Sequence, residues 1–360
     1  MNTKFLSFIF LVFATGICII EGRTVAAVYK TCGGIQMAID LASVGDTVKL
    51  TKGEYVISKT IDVKSGISII GEGKDNTILR HSVKRNDEFW IFRVDGANQS
   101  QIRFSSFSII GKSPVVSPGI LFVNGAENFR VDHCKFIACS RRAIEIHGIS
   151  RGVIDHNVFK ENWYTAIVIY GDGNRGWKNT LTLGDSNAVF VEDNYFEQDK
   201  IPDISMAHHI ASNNGSHYVF RYNVIKDGKI ASHAIDAHGN KYGSERGSRS
   251  YEIYNNTIYA DHRWAGINIR GGDGVIFGNK FSGEFVSPVH LMHEGRDGDG
   301  ECAYPCIDQI RELYIWNNVY NGKKVDVFIR FPQIIKRNRD FFLIKKPGYT
   351  SFRYPHPLVK

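Results

Sequence analysis

Long apolar runs are nearly absent from this 360-residue chain. The one such stretch, Phe5 to Ala14 behind Lys4, is too short to span a bilayer comfortably. It reads as a secretory leader cleaved between Gly16 and Arg23. Residues 1–22 are therefore expected to be a signal peptide, and 23–360 one exported domain, secreted or periplasmic. Ile17 is too bulky beside Cys18 for a lipoprotein signal, and no later segment reads as a membrane span. Cysteine is also scarce. The five beyond the leader (Cys32, Cys134, Cys139, Cys302, Cys306) are an odd number, which excludes a full disulfide framework. Cys302 and Cys306, flanking Tyr304-Pro305, fit a local disulfide in an oxidising compartment. No His or Cys pair completes a zinc site at ligand spacing. Lys and Arg are not clustered with stacking aromatics, which disfavours nucleic acid. The net charge of +7 suits an anionic extracellular polymer as partner and equally suits simple solubility. No long helical pattern interrupts the chain, so βαβ folds are excluded.

What is present is a recurring phrase, x-h-x-x-N-x-h. It appears at Val153–Phe159, Phe190–Phe196, Val219–Ile225, Glu252–Ile258, Val275–Phe281 and Tyr314–Tyr320. Its fifth position is Asn157, Asn194, Asn223, Asn256, Asn279 and Asn318, with Cys134 standing there in an earlier copy and reading as a core residue. Spacings of 23–39 residues with two or three short strands per repeat indicate a solenoid. The expected fold is all-β: a single-stranded right-handed parallel β-helix with an N-terminal capping helix around Ile35–Ala42. Asn residues stacked from coil to coil can pass amide hydrogen bonds along the axis.

A second strand follows each phrase. Ala143–Gly148 aligns with Ala166–Gly171, His209–Asn213, Ala234–Gly239, Gly266–Gly271 and Pro288–Met292. Alternation turns Ile144, Ile146, Ile235, Ala237, Ile267 and Ile269 inward. It sets two columns outward. One is Glu145, Val168, Ala211, Asp236, Asn268, His290. The other is His147, Tyr170, Asn213, His238, Arg270, Met292.

The opening Gly33–Asp40 with Gly45–Val48 resembles secreted right-handed parallel β-helix proteins of the pectate-lyase-like superfold. Ile235–Gly239, Arg246–Arg249, Glu252–Asn256, Arg270–Gly272, Tyr304–Ile310 and the tail Tyr354–Leu358 are similar to one bacterial branch of that group. The resemblance covers nearly the whole mature chain and implies a carbohydrate-active protein.

The densest polar group is Asp236, His238, Arg246, Arg249 and Arg270, with His209 and His233 close by in sequence. Such a set suits β-elimination on a uronate polymer: an Arg holds the carboxylate, a base removes the C5 proton, and an acid protonates the leaving oxygen. The expected roles are Arg270 or Arg249 on the carboxylate, His238 as base, and Tyr170 or His209 as acid. His147, Tyr170, Asn213, Asn268, Arg246 and Trp264 are expected to bind substrate. The bland alternative is that Arg246 and Arg249 only bridge to Glu245 or Glu252. Trp163, Tyr164, Trp177 and Trp264 offer sugar-stacking faces, and Gly171–Asn187 reads as an insertion walling the groove. Related lyases often hold calcium on acidic residues, so calcium stays open as a cofactor, but no tight acidic cluster marks its place. A glycoside hydrolase needs two carboxyls about 5–9.5 Å apart. Glu145 and Asp236 lie three coils, roughly 14 Å, apart at about 4.8 Å per coil, leaving Asp236 with Asp261 or Asp273. A C5-epimerase shares the lyase's first step, and a non-catalytic polysaccharide-binding adhesin is the third class. A monomer is expected.

Overall fold

The computed structural model describes residues 22–27, 29–82, 89–96, 101–111, 119–178, 180, 182–199, 207–240, 246–295 and 302–360. The expected leader, with Cys18, and Glu245 lie outside these.

Alternating apolar side chains cannot be buried by an isolated strand, and here each strand buries them against the same strand of the next coil. The chain is a right-handed parallel β-helix with three columns of strands. Sheet A holds twelve strands, from Thr24–Ala26 to Phe341–Phe342. Sheet B runs from Gly53–Ile57 to Val319–Tyr320 and sheet C from Ile61–Val63 to Val327–Ile329. Each coil runs A, then B, then C. In three successive coils B and C fuse into single bent strands, Val224–Ala237, Thr257–Ile269 and Lys280–Leu291. Register shifts at the bends, between Ile230 and His233 and between Ala260 and Arg263.

Helix α1 (Cys32–Leu41) closes the open end. Thr31 caps it, its Oγ1 accepting from the Gly34 N–H at 3.1 Å, and Cys32, Ile35, Ala38 and Ile39 are its buried face. Without that cover, the first coil would expose unpaired strand edges. Among the described residues no helix is long and apolar enough to cross a membrane.

The six Asn residues are buried and form the expected ladder. Each Nδ2 donates to the Oδ1 of the next Asn: 3.0 Å for Asn157–Asn194, 3.1 Å for Asn194–Asn223 and Asn223–Asn256, 2.9 Å for Asn256–Asn279 and Asn279–Asn318. Cys134 joins through its backbone N–H, which donates to Asn157 Oδ1. The residue before each ladder position has a left-handed backbone, with φ near 55° at His133, His156, Asp193, Tyr222, Asn255 and Asn317 and 66° at Gly278. That conformation is costly for a bulky residue such as Tyr222. The ladder bonds over-determine it, so the A-to-B turn survives whether His, Asp, Tyr, Asn or Gly stands there.

The C-terminal segment straps across sheet A. Buried Arg221 pairs with Glu192 at 2.6 Å and donates to the Phe352 and Arg353 carbonyls. Glu192 in turn accepts from the His356 N–H. Cys302 and Cys306 are joined as a disulfide, and Cys134 and Cys139 are buried thiols.

Candidate active site

Sheet C has the register expected from the sequence. Glu145, Val168, Ala211, Asp236, Asn268 and His290 are successive partners, and the six residues expected inside are fully buried. Three coil steps separate Glu145 from Asp236. Arg270 stands one coil beyond His238, its N–H donating to the Ala237 carbonyl at 2.8 Å.

Asp236 is the hub. Arg270 grips both its oxygens, Nε donating to Oδ1 at 2.9 Å and Nη2 donating to Oδ2. His238 Nε2 lies 2.9 Å from Oδ2, and His233 Nε2 lies 3.1 Å from Oδ1. A second carboxylate, Glu294, completes the group. It takes Arg270 Nη1 at 2.5 Å, faces His238 Nδ1 at 3.1 Å and accepts from the Gly239 N–H at 3.0 Å. Arg270 Nη2 also lies 2.7 Å from His238 Nδ1 and 2.8 Å from His238 Nε2.

Burial favours the neutral form of every one of these groups, and their neighbours decide the outcome. Burial pushes the Asp236 carboxyl up, yet the charges of Arg270, His238 and His233 hold it well below the usual carboxylate range. Glu294 is likewise pushed up by burial but is held low by its His238 contact and Arg270. Burial pulls His238 down, but the Asp236 charge and hydrogen bonds to both carboxylates leave it raised despite Arg270. His233 is lowered by burial in spite of Asp236. His208 is stacked on it with ring centres 4.1 Å apart, and burial and His233 lower it well below an ordinary imidazole.

This ordering reverses one expectation. His238 faces a carboxylate from each nitrogen and keeps its proton to higher pH than a free imidazole, which fits an acid and not a base. His233 is the imidazole whose proton affinity burial lowers. Arg270 is also committed: its bidentate grip on Asp236 and its bond to Glu294 leave it poorly placed to hold a substrate carboxylate.

Several expected members stand elsewhere. His209 turns into the corner, its Nε2 2.9 Å from Asp227 Oδ1 and its ring against core Phe196. Arg263 shares Asp227 at 3.3 Å. Arg246 donates to Asp308 from Nε and Nη2, the latter at 2.6 Å, and to Asn174 at 2.6 Å. Arg249 meets Asp273 at 3.4 Å and donates to the Trp177 carbonyl. Of the two acids that the bland alternative named for these arginines, Glu245 lies outside the described residues and Glu252 pairs with neither. Glu252 instead accepts from Tyr349 Oη at 2.5 Å and from the Gly184 N–H. Trp177 is no sugar platform. It is buried in the short helix α2 (Gly173–Lys178) beneath Arg246 and Arg249, its Nε1 donating to the Gly247 carbonyl. Arg246 reaches the central group only through others: Asp308 accepts from Asn240 Nδ2 at 3.3 Å, and the Asn240 N–H donates to the Glu294 carbonyl. Asp261 takes the Tyr259 hydroxyl and Asp273 the Ser250 N–H, so Glu294, not either of these, is the carboxylate paired with Asp236 through shared partners.

The remaining expected binders lie along the same face. His147 and Tyr170 stack with centres 4.8 Å apart. Glu145 holds Arg142 and His147, and Arg142 also donates to Tyr170 Oη at 2.9 Å. Asn213 Oδ1 accepts from the Asn214 N–H. Asn268 Oδ1 lies 2.7 Å from His290 Nδ1. Trp264 packs edge-on to His233 and His290, with centres 5.7 and 4.5 Å away. Beside it opens a cleft of about 310 Å³ lined by Trp264, Val286, Ser287, His290, Phe328 and Arg330.

Among the described residues two trios have donor atoms close enough to share a metal: His208, His233 and Asp236, and His293, Cys302 and Cys306. The second is committed as a disulfide. The first offers two imidazoles and a carboxylate already gripped by Arg270, a poor set for calcium, which takes six to eight oxygens.

Sequence reasoning missed Glu294, His208 and Arg330. Glu294 follows the last residue of its strand by three positions, where alternation no longer says which way a side chain points.

No protein-family model matches the chain, and no curated protein matches it. Solved structures are similar to it in fold. An alginate lyase from Paenibacillus sp. is 12% identical, over 85% of this chain and 98% of that one, with a TM-score of 0.50. The A-module of a mannuronan C-5 epimerase from Azotobacter vinelandii is 13% identical over 83% and 85%, with a TM-score of 0.49. A DFA-IIIase from Arthrobacter chlorophenolicus is 15% identical over 82% and 80%, also at 0.49. At these identities the likeness is one of fold.

Proposed function

We propose that this protein is a secreted polysaccharide lyase that cleaves a uronate-containing polymer by β-elimination. The observation that carries the reading is the single carboxylate of Asp236 set 3.1 Å from His233, whose proton affinity burial lowers, and 2.9 Å from His238, whose proton affinity its two carboxylates raise. Paired groups whose surroundings push their pKa values apart are the signature of an acid and a base. His233 takes the C5 proton of the uronate. The C5 electrons form the C4–C5 double bond as the C4–oxygen bond breaks, and His238 gives its proton to the leaving oxygen. Asp236 and Glu294 hold the imidazoles in place, and Arg270 neutralises the carboxylates. The alginate lyase of similar fold acts on a polymer of this class, which agrees with the proposal.

Glycoside hydrolysis is the second reading, favoured by two carboxylates that share His238 and Arg270. A hydrolase needs one carboxylic acid that keeps its proton near neutral pH, and both acids here are lowered. The deciding experiment treats polymannuronate, polyguluronate, polygalacturonate and glucuronan with the protein, with and without chelator. Ultraviolet absorbance of an unsaturated uronate is the expected result. New reducing ends without it would establish the hydrolase, an altered C5 configuration without cleavage the epimerase, and binding without product the adhesin.

A further inference from the structure

The proposed reaction leaves a charge unmatched. Every sugar of a uronate polymer carries a carboxylate that needs a cationic partner, and Arg270 is taken by Asp236 and Glu294. The outer column that holds His238 and Arg270 continues through Met292 to Arg330, whose N–H donates to the Leu291 carbonyl at 2.9 Å. Two coils, roughly 10 Å, separate Arg330 from Arg270 in that column. Arg330 is exposed and forms no ion pair among the described residues. Its guanidinium packs 5.1 Å from the Phe331 ring centre, an arrangement that leaves the outer edge of the fork available.

Arg330 borders the cleft that holds Trp264. One wall is His290 stacked on Phe328, with centres 5.2 Å apart and planes 14° from parallel. Trp264 packs edge-on against the same His290 ring, with centres 4.5 Å apart, and its other edge faces His233. The cleft is thus apolar and aromatic on its sides, cationic at its rim, and separated from the proposed base by one indole. Flat aromatic faces suit the C–H faces of a pyranose, and a guanidinium fork suits a carboxylate bidentately. A neutral sugar would satisfy the walls and leave the fork unused.

We propose that the Trp264–His290–Phe328 cleft is a subsite for one acidic pyranose, with Arg330 binding its carboxylate. Arg330 is then a specificity residue that selects charged polymers over neutral ones. The proposal rests on the lyase reading for its substrate class, but its test does not depend on turnover.

The test is calorimetric titration of the intact protein with trimers of mannuronate and of galacturonate, and with the same trimers after reduction of the carboxyl groups to alcohols. Arg330→Gln should weaken the best acidic trimer about 30-fold, as expected for loss of a charge-assisted pair. It should leave the reduced trimer unchanged. Phe328→Ala should weaken both, because the ring platform serves either. Arg330 is exposed, so the folded state should survive its substitution, with the circular dichroism melt as control. Equal affinity of wild type and Arg330→Gln for the best acidic trimer overturns the proposal, as does failure of both acidic trimers to bind. Charge-dependent binding that needs Arg330, with no unsaturated product from any polymer, upholds the subsite and sinks the lyase.

Discussion

Two segments of sheet C carry nearly the same sequence. Ala143–Gly148 reads A-I-E-I-H-G and Ala234–Gly239 reads A-I-D-A-H-G. Both place an acid and then a His on the outer face, three coils apart. Their surroundings differ. Glu145 is served by Arg142 from its own strand and by His147, whose side chain is 42% exposed. Asp236 is served by Arg270 from the next coil, and its His238, only 17% exposed, meets Glu294 from the coil after that. His208 and His233 crowd the same carboxylate. The motif alone makes a local ion-pair cluster. Contributions from four coils turn it into a set of groups with opposed proton affinities. Chemistry here is a property of the stack, not of the hexapeptide.

The contrast can be broken most directly through activity. Asp236→Asn should lower turnover on the order of 10³-fold, since it uncouples both imidazoles. Glu145→Gln, measured per folded molecule, should change it less than about threefold. Equal losses in the two variants would remove the distinction between the clusters.

Stability gives the next largest difference. Arg270→Met strips the cation from two buried carboxylates and should cost about 3–5 kcal/mol, the usual penalty for an orphaned buried charge. His147→Ala removes a half-exposed partner and should cost at most about 1 kcal/mol. Urea denaturation of both variants checks this. A His147→Ala loss as large as that of Arg270→Met would mean that exposure does not separate the sites.

Protonation sharpens the comparison further. His238 is raised in the folded protein, so its stabilising contribution is complete below pH 6.5 and is lost as pH rises through its folded value. Asp236 and Glu294 are lowered, so theirs is present above the ordinary carboxylate range and fades as pH falls. His208 and His233 are lowered, so the unfolded chain takes up their protons first and stability declines as pH drops below 6.5. Activity should therefore have an acid limb below pH 6.5 and an alkaline limb above it. Glu294→Gln should move the alkaline limb to lower pH in its residual activity, because His238 loses one of its two carboxylates. Glu145→Gln should not move it. A pH–rate profile with the limb unmoved in Glu294→Gln would show that His238 is not the acid.

The fold was legible because a solenoid repeats its instructions. The Asn ladder, the inward Ile residues and both outer columns follow from spacing alone, and the structure shows all three. The left-handed turn beside each Asn was hidden because His, Asp, Tyr, Asn and Gly all occupy it. The contact of Asp236, His238 and Arg270 was legible for the same reason as the fold. Glu294 was not, since it lies beyond a strand end, and Arg246 and Arg249 were misplaced because loop backbones carry no alternation. His209 failed at a corner, where the strand beside it bends and its acid turns inward.

The ladder bonds have one direction. From Asn194 to Asn318 every ladder Oδ1 accepts both the backbone N–H and the Nδ2 of the preceding Asn, as Asn194 does from Asn157. Each junction is therefore interchangeable with the next, and the natural unit of insertion or deletion is a whole turn of the spiral. Excising one complete turn between Glu145 and Asp236 should reconnect the ladder and carry the entire Glu145 cluster about 4.8 Å toward Asp236. A folded, shortened protein whose product lengths differ from the parent's would confirm it, and an aggregated one would refute it. On that view the outer face is a vernier, whose length changes in fixed steps while the Asp236 cluster stays where it is.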